Sequence, residues 1–129
     1  MWNEDWVVNI KNTNFDLTPE VRAYLDERLD AISKLVVVQG SDTKVLCDIE
    51  LEKALDKQHG NIWRAEMNLS IDGNHYRATA RAENINAALD EMKDEITKQL
   101  RRSKKKNLDM LRRGGAKLKE MLRFGRFRK

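Results

Sequence analysis

The sequence predicts an α+β domain of order β-α-β-β-β-α, a four-stranded sheet with two helices packed on one face. Three observations predict it. Four stretches alternate apolar and polar residues, two stretches carry apolar residues at helical spacing, and Asp72-Gly73 marks a tight hairpin between the third and fourth strands. Strands with one apolar face need a cover, and the two amphipathic helices supply it.

Trp6 to Lys11 is the first strand, with Trp6, Val8 and Ile10 on one side and Val7, Asn9 and Lys11 on the other. Thr18-Pro19-Glu20 starts a helix, with Thr18 as N-cap and Pro19 at the first helical position. Val21, Tyr24, Leu25, Leu29 and Ile32 then follow helical spacing, and the helix ends before Val36-Val37-Val38 and the Gln39-Gly40-Ser41 break. Val45 to Glu52 alternates again. Val45, Cys47, Ile49 and Leu51 face in, and Asp48, Glu50 and Glu52 face out. Lys53 to Asn61 is a polar loop containing His59-Gly60.

Ile62 to Ile71 places Trp63, Ala65, Met67, Leu69 and Ile71 on the inner side. The two-residue turn then fixes the register of the next strand. Leu69 faces Tyr76, Met67 faces Ala78, Ala65 faces Ala80 and Trp63 faces Ala82. Every pair sets apolar against apolar, so turn and pattern agree independently. The small alanines leave room for a helix close to the sheet. The other sheet face, with Asp48, Glu50, Glu52, Glu66 and Arg77, is expected to be wet.

Asn84 caps the last helix, whose apolar stripe is Ile85, Ala88, Leu89, Met92, Ile96 and Leu100. It begins acidic (Asp90, Glu91, Asp94, Glu95) and ends basic (Lys98, Arg101, Arg102, Lys104, Lys105, Lys106). That order suits the helix dipole, which needs only one or two cations. Leu108 and Leu111 extend the helix, and Arg112-Arg113-Gly114-Gly115 is expected to break it. Residues 1–106 are thus read as the folded domain. Residues 107–129 are read as a basic, aromatic-containing C-terminal tail, disordered when free and ordered on its target.

Charge is sorted along the chain. Residues 1–97 hold 11 Lys/Arg against 19 Asp/Glu, and residues 98–129 hold 14 against 2. Crowding like charges into one terminal segment costs self-repulsion unless a polyanion receives them. Lys98, Arg101, Arg102 and Lys105 fall about one turn apart, a rail that can meet successive phosphates. If about six phosphates of single-stranded RNA are neutralised, log K falls against log salt with a slope of roughly −4. A solvated helix end is the plainer reading. In the tail, Arg123, Phe124, Arg126, Phe127 and Arg128 interleave cations with rings. Three readings stay open for it: stacking on unpaired bases, a sticky disordered end, and an anchor on anionic lipid.

Other chemistries are excluded by what is missing from the pattern. The lone Cys47 cannot form an internal disulfide, which fits a reducing compartment. Cys47, His59 and His75 are too sparse for a metal site, and no cofactor is expected. No phosphate-cradling Gly loop, nucleophile elbow or HExxH helix occurs. No run of 18 apolar residues spans a membrane, no signal peptide is visible, and a soluble cytoplasmic protein is the default.

The stretch Asn12 to Tyr24, and the stretch Ala87-Ala88-Leu89-Asp90 leading to Lys98-Gln99-Leu100 and a Lys/Arg run, resemble the bacterial ribosome hibernation-promoting factor family, also called ribosome-associated inhibitor or sigma-54 modulation protein. The resemblance covers about residues 6–106. It implies a fold similar to double-stranded-RNA-binding domains. It also implies a non-enzymatic role: binding the small ribosomal subunit and its ribosomal RNA, occupying the path of mRNA and tRNA, and repressing translation under stress or in stationary phase. The matching RNA-contacting positions are Arg22, Lys98, Arg102, Lys104 and Lys106. Arg101 and Lys105 extend the cluster, and the cations of the tail, Arg112 and Arg113 included, are expected to follow the same RNA. Asn86 and Glu95 depart from the pattern, standing where an aromatic and a lysine are frequent. With 23 residues after Lys106, the chain looks like a short form without the longer members' dimerising domain, and a monomer off the ribosome is expected. No small-molecule substrate and no membrane partner are expected. The alternatives are a general RNA-binding module, or a membrane-surface or protein-interaction regulator acting through the tail.

Overall fold

The computed structural model describes residues 6–36, 44–54 and 62–127, with side chains through residue 106. In chain order the elements are β1 (Trp6–Thr13), α1 (Pro19–Ser33), β2 (Val45–Lys53), β3 (Trp63–Ile71), β4 (Asn74–Ala82) and α2 (Ile85–Phe127). The strands form one sheet in the order β1-β2-β3-β4. β1 lies parallel to β2, and the other two pairings are antiparallel. A parallel pair needs a long crossover, and α1 is that crossover.

Local chemistry sets the boundaries. The Thr18 Oγ1 accepts from the Val21 N–H at 3.2 Å, with Pro19 opening α1 behind it. Asp72 and Gly73 have φ of +49° and +85°, the signature of a type I′ turn that matches strand twist. The resulting register pairs Leu69 with Tyr76, Met67 with Ala78, Ala65 with Ala80 and Trp63 with Ala82, as the turn predicts.

One core fills the space between the sheet and the helices. It joins Cys47, Leu51, Met67 and Leu69 of the strands to Leu25, Leu29 and Ile32 of α1 and Leu89, Met92 and Ile96 of α2. Each fully buried Leu, Ile or Met contributes roughly 1.5–3 kcal/mol. Phe15 and Trp63 close one margin edge to face, with ring centroids 5.1 Å apart.

The outer face of the sheet leaves Asp48 and Arg77 exposed, as expected, and departs from expectation at Glu66. It was expected to be wet, yet Glu66 is only 8% exposed. Register explains why. Glu50 stands opposite Glu66, and Glu52 opposite Arg64. Facing carboxylates repel, so a cation must lie between them. The Arg64 guanidinium does this. It donates to Glu52 at 3.0 Å, to Glu50 at 2.7 Å and to Glu66 at 2.9 Å, while Arg77 pairs with the other Glu66 oxygen. Burial alone would raise the Glu66 carboxyl, but the hydrogen bonds from Arg64 and Arg77 hold it below its ordinary range.

α2 also departs from expectation. Its backbone stays helical through Arg112-Arg113-Gly114-Gly115, where a break was expected, and runs to Phe127. Two glycines cost about 1 kcal/mol each relative to alanine, but unlike proline they keep the backbone N–H and so leave the hydrogen-bond ladder whole. The flanking Leu, Lys, Arg and Met are good helix formers. The expected Gln39-Gly40-Ser41 break and the loop around His59-Gly60 lie outside the described residues.

Candidate nucleic-acid interface

α2 is built to bury one side and bare the other. The Asn84 side chain accepts from the Ala87 N–H at 2.8 Å and its carbonyl from the Ala88 N–H at 3.1 Å, which caps the helix start. Ala88, Leu89, Met92 and Ile96 are fully buried, and Leu100 is the last buried side chain among the described residues. Lys98, Arg101, Arg102 and Lys105 lie on the opposite side, all exposed, and Lys104 and Lys106 are exposed beyond the end of the buried stripe. Among the described residues none of these six pairs with a carboxylate.

The length of α2 changes the electrostatic argument. A helix dipole acts within the last turn, and α2 ends some twenty residues beyond Lys106. The dipole therefore does not account for these cations. They also repel one another: Lys98 and Arg102, Arg101 and Lys105, and Arg102 and Lys106 are like charges at i, i+4, each pair costing about 0.2–0.5 kcal/mol. A folded monomer gains nothing from that arrangement, whereas a polyanion does.

Two polar tethers fix the basic stretch to the sheet. The Gln99 amide donates to the Arg77 carbonyl at 2.7 Å and accepts from the Arg77 N–H at 3.3 Å. The Tyr76 hydroxyl donates to the Ser103 hydroxyl at 3.1 Å. Among the described residues β4 pairs with β3 alone, so Gln99 also covers backbone groups at a free sheet edge. Neither tether is legible in the sequence. Gln99 sits in a stretch of cations and reads as one more polar residue.

Arg22 stands apart. It is exposed on α1 and paired with Asp26 at 3.1 Å. Tyr24, two residues on and so on a different face of α1, is the residue that bonds Asp90 of α2. The structure thus joins the α2 cations and leaves Arg22 out. The side chains of Arg112, Arg113, Arg123, Phe124, Arg126 and Phe127, and all of Arg128, lie outside the described residues. Among the described residues no group of three or more His, Cys, Asp and Glu side chains is placed to hold a metal ion. No described helix is long and apolar enough to cross a membrane.

Residues 8–107 match the family described as Sigma 54 modulation protein / S30EA ribosomal protein. The chain belongs to the sigma 54 modulation protein / S30EA ribosomal protein family. A relative in Picosynechococcus sp., named ribosome hibernation promotion factor, is 31% identical over 98 residues, which are 76% of this chain and 49% of that protein. This member of the S30EA family therefore spans about half the length of that relative. Two solved structures share the fold. The Thermus thermophilus Protein Y N-terminal domain has a TM-score of 0.56 at 23% identity, covering 73% of this chain and 97% of that one. A ribosomal subunit interface protein from Coxiella burnetii has a TM-score of 0.57 at 15% identity, covering 75% and 96%. The matched residues hold all of the described α2 cations of the S30EA domain.

Proposed function

We propose that this S30EA-family chain binds the small ribosomal subunit through ribosomal RNA and represses translation by occupying the mRNA and tRNA path. The observation that carries the reading is the set Lys98, Arg101, Arg102, Lys104, Lys105 and Lys106, exposed and without a carboxylate partner among the described residues, at the end of a helix whose apolar stripe is locked into the core. The names of the relatives, which speak of the ribosome, its subunit interface and hibernation, support the same target.

The mechanism is occupancy without chemistry. A pre-ordered row of cations meets phosphates without ordering cost in the helix, because packing of the buried stripe has already fixed it. The acidic remainder of the domain repels nucleic acid elsewhere, so binding needs a site that matches both signs. Residues 107–127 continue α2 as a basic arm in this reading, and Arg123, Phe124, Arg126, Phe127 and Arg128 hold backbone and stack on unpaired bases. The protein works in the cytoplasm, as a monomer until it meets the subunit.

Sedimentation with purified small subunits over a salt series tests the reading. Co-sedimentation that weakens steeply with salt is expected. Protein left wholly in the unbound fraction while it still binds simple duplex RNA would favour a general RNA-binding module instead.

A further inference from the structure

The cations of α2 are not the only ones at that end of the domain. α2 starts just after β4 ends, reaches Arg77 through Gln99 and reaches Tyr76 through Ser103, so it runs antiparallel along the free edge of β4. Lys98 stands immediately before Gln99 and Arg102 three residues after it. Exposed cations therefore flank the point at which helix and strand touch. The Arg77 side chain leaves that same point toward the outer face of the sheet and is 70% exposed.

We infer that the RNA-binding surface turns the edge of β4 and takes in the Arg77 guanidinium, so that a phosphate backbone is held from both sides of one edge strand. The inference rests on the reading that α2 binds RNA. Charge carries it further. Among the described residues Arg77 has one carboxylate partner, Glu66, and that carboxylate is shared with Arg64, which donates to it at 2.9 Å. Glu50 and Glu52 are likewise taken up by Arg64. The remaining nearby carboxylate on this face, Asp48, accepts from the Asn9 amide at 3.0 Å. A guanidinium has five N–H donors in a planar fork, so Arg77 keeps donors free for a phosphate while Glu66 steadies it. The Gln99 tether holds the helix cations and the strand cation in one fixed relation.

Arg81 supplies an internal control. It is an exposed arginine on the same face of β4, about 13 Å along the strand at ordinary rise, toward the start of α2. There the helix carries Glu91 and Asp94, with Lys93 paired to Asp94 at 3.5 Å, while Glu95 accepts from the Gln99 amide at 3.1 Å nearer Arg77. Equal charge changes at Arg77 and Arg81 should therefore have unequal effects.

The test is a salt titration of binding to free small-subunit ribosomal RNA. Arg77→Gln should weaken binding about three- to fivefold at moderate salt, the size of one exposed ion pair, and lower the log K against log salt slope by about 0.7–0.9. Arg81→Gln should stay near wild type. Glu66→Gln breaks the same ion pair but keeps the cation, so it should bind at least as tightly as wild type, and this separates lost stability from a lost contact. If Arg77→Gln matches wild type while charge reversal of Lys98, Arg101 and Arg102 removes binding, the inference is overturned and the α2 reading stands. Equal losses at Arg77 and Arg81 would mean bulk charge alone and would also overturn it. Wild-type protein that fails to bind this RNA would bring down both.

Discussion

Arg28 on α1 donates from Nε to Asp90 on α2 at 2.7 Å, and this contact ties the two helices together above the sheet. The Tyr24 hydroxyl lies 2.8 Å from both Asp90 oxygens and shares its one proton between them, and the Arg28 guanidinium lies 4.0 Å over the Tyr24 ring. Asp90→Asn should therefore cost about 1 kcal/mol, a value kept low because the Asp90 side chain is 46% exposed. Thermal unfolding should drop by about 3–5 °C. Burial alone would raise the Asp90 carboxyl, but the bonds from Tyr24 and Arg28 outweigh it and hold it below its ordinary range. A depressed carboxylate stabilises the fold above its unfolded pKa, and that contribution is lost as pH falls through the folded value. The gap between wild type and Asp90→Asn should thus be full at neutral pH and close from about pH 4 downward.

Arg64→Met should be the most damaging single change on the outer sheet face. It leaves Glu50, Glu52 and Glu66 facing one another, with the buried Glu66 held by Arg77 alone, at a cost of about 2–3 kcal/mol. Urea unfolding at pH 7 and at pH 4 checks this. Acid protonates the stranded carboxylates in the variant, so the loss relative to wild type should shrink on acidification. A loss unchanged by pH would point to lost packing instead.

Cys47 reports on the core. Its side chain is fully buried, and burial, with Asp48 adding to it, pushes its thiol up to about 12. In native protein at pH 8 it should resist a thiol reagent and react only as fast as the domain opens. Labelling kinetics with and without denaturant read this directly. Rapid labelling of native protein would mean that β2 is not held under both helices.

These residues also show what a sequence can carry. The hairpin was legible because Asp72-Gly73 and the apolar alternation on its two sides each fix the same register. The caps were legible because Thr18-Pro19 and Asn84 act on their own neighbours. The Arg64 cluster was hidden because it depends on β2 standing beside β3, which brings Glu50 and Glu52 within reach of a residue twelve or more positions away. Arg64 opposite Glu52 was the available signal, and it becomes visible only once that pairing is known. The continuation of α2 across Gly114-Gly115 was missed because glycine was read as a stop rather than as a modest cost. The cations of α2 were legible from charge alone, whereas their tether through Gln99 depends on which strand lies at the sheet edge.

Reversing Lys98, Arg101 and Arg102 to Glu should abolish binding to small subunits and leave thermal stability within about 2 °C, because surface changes away from caps and buried groups usually have small effects. Calorimetry beside sedimentation separates the two. Retained binding would remove α2 from the mechanism, and a large drop in melting temperature would mean that these side chains serve the fold.

The most direct test is a cryo-electron-microscopy map of ribosomes mixed with excess protein. The account predicts density for the domain in the mRNA and tRNA path of the small subunit, with Lys98 to Lys106 of α2 against ribosomal RNA phosphates. Maps in which that path is empty, or in which the domain sits elsewhere with α2 turned to solvent, would contradict it.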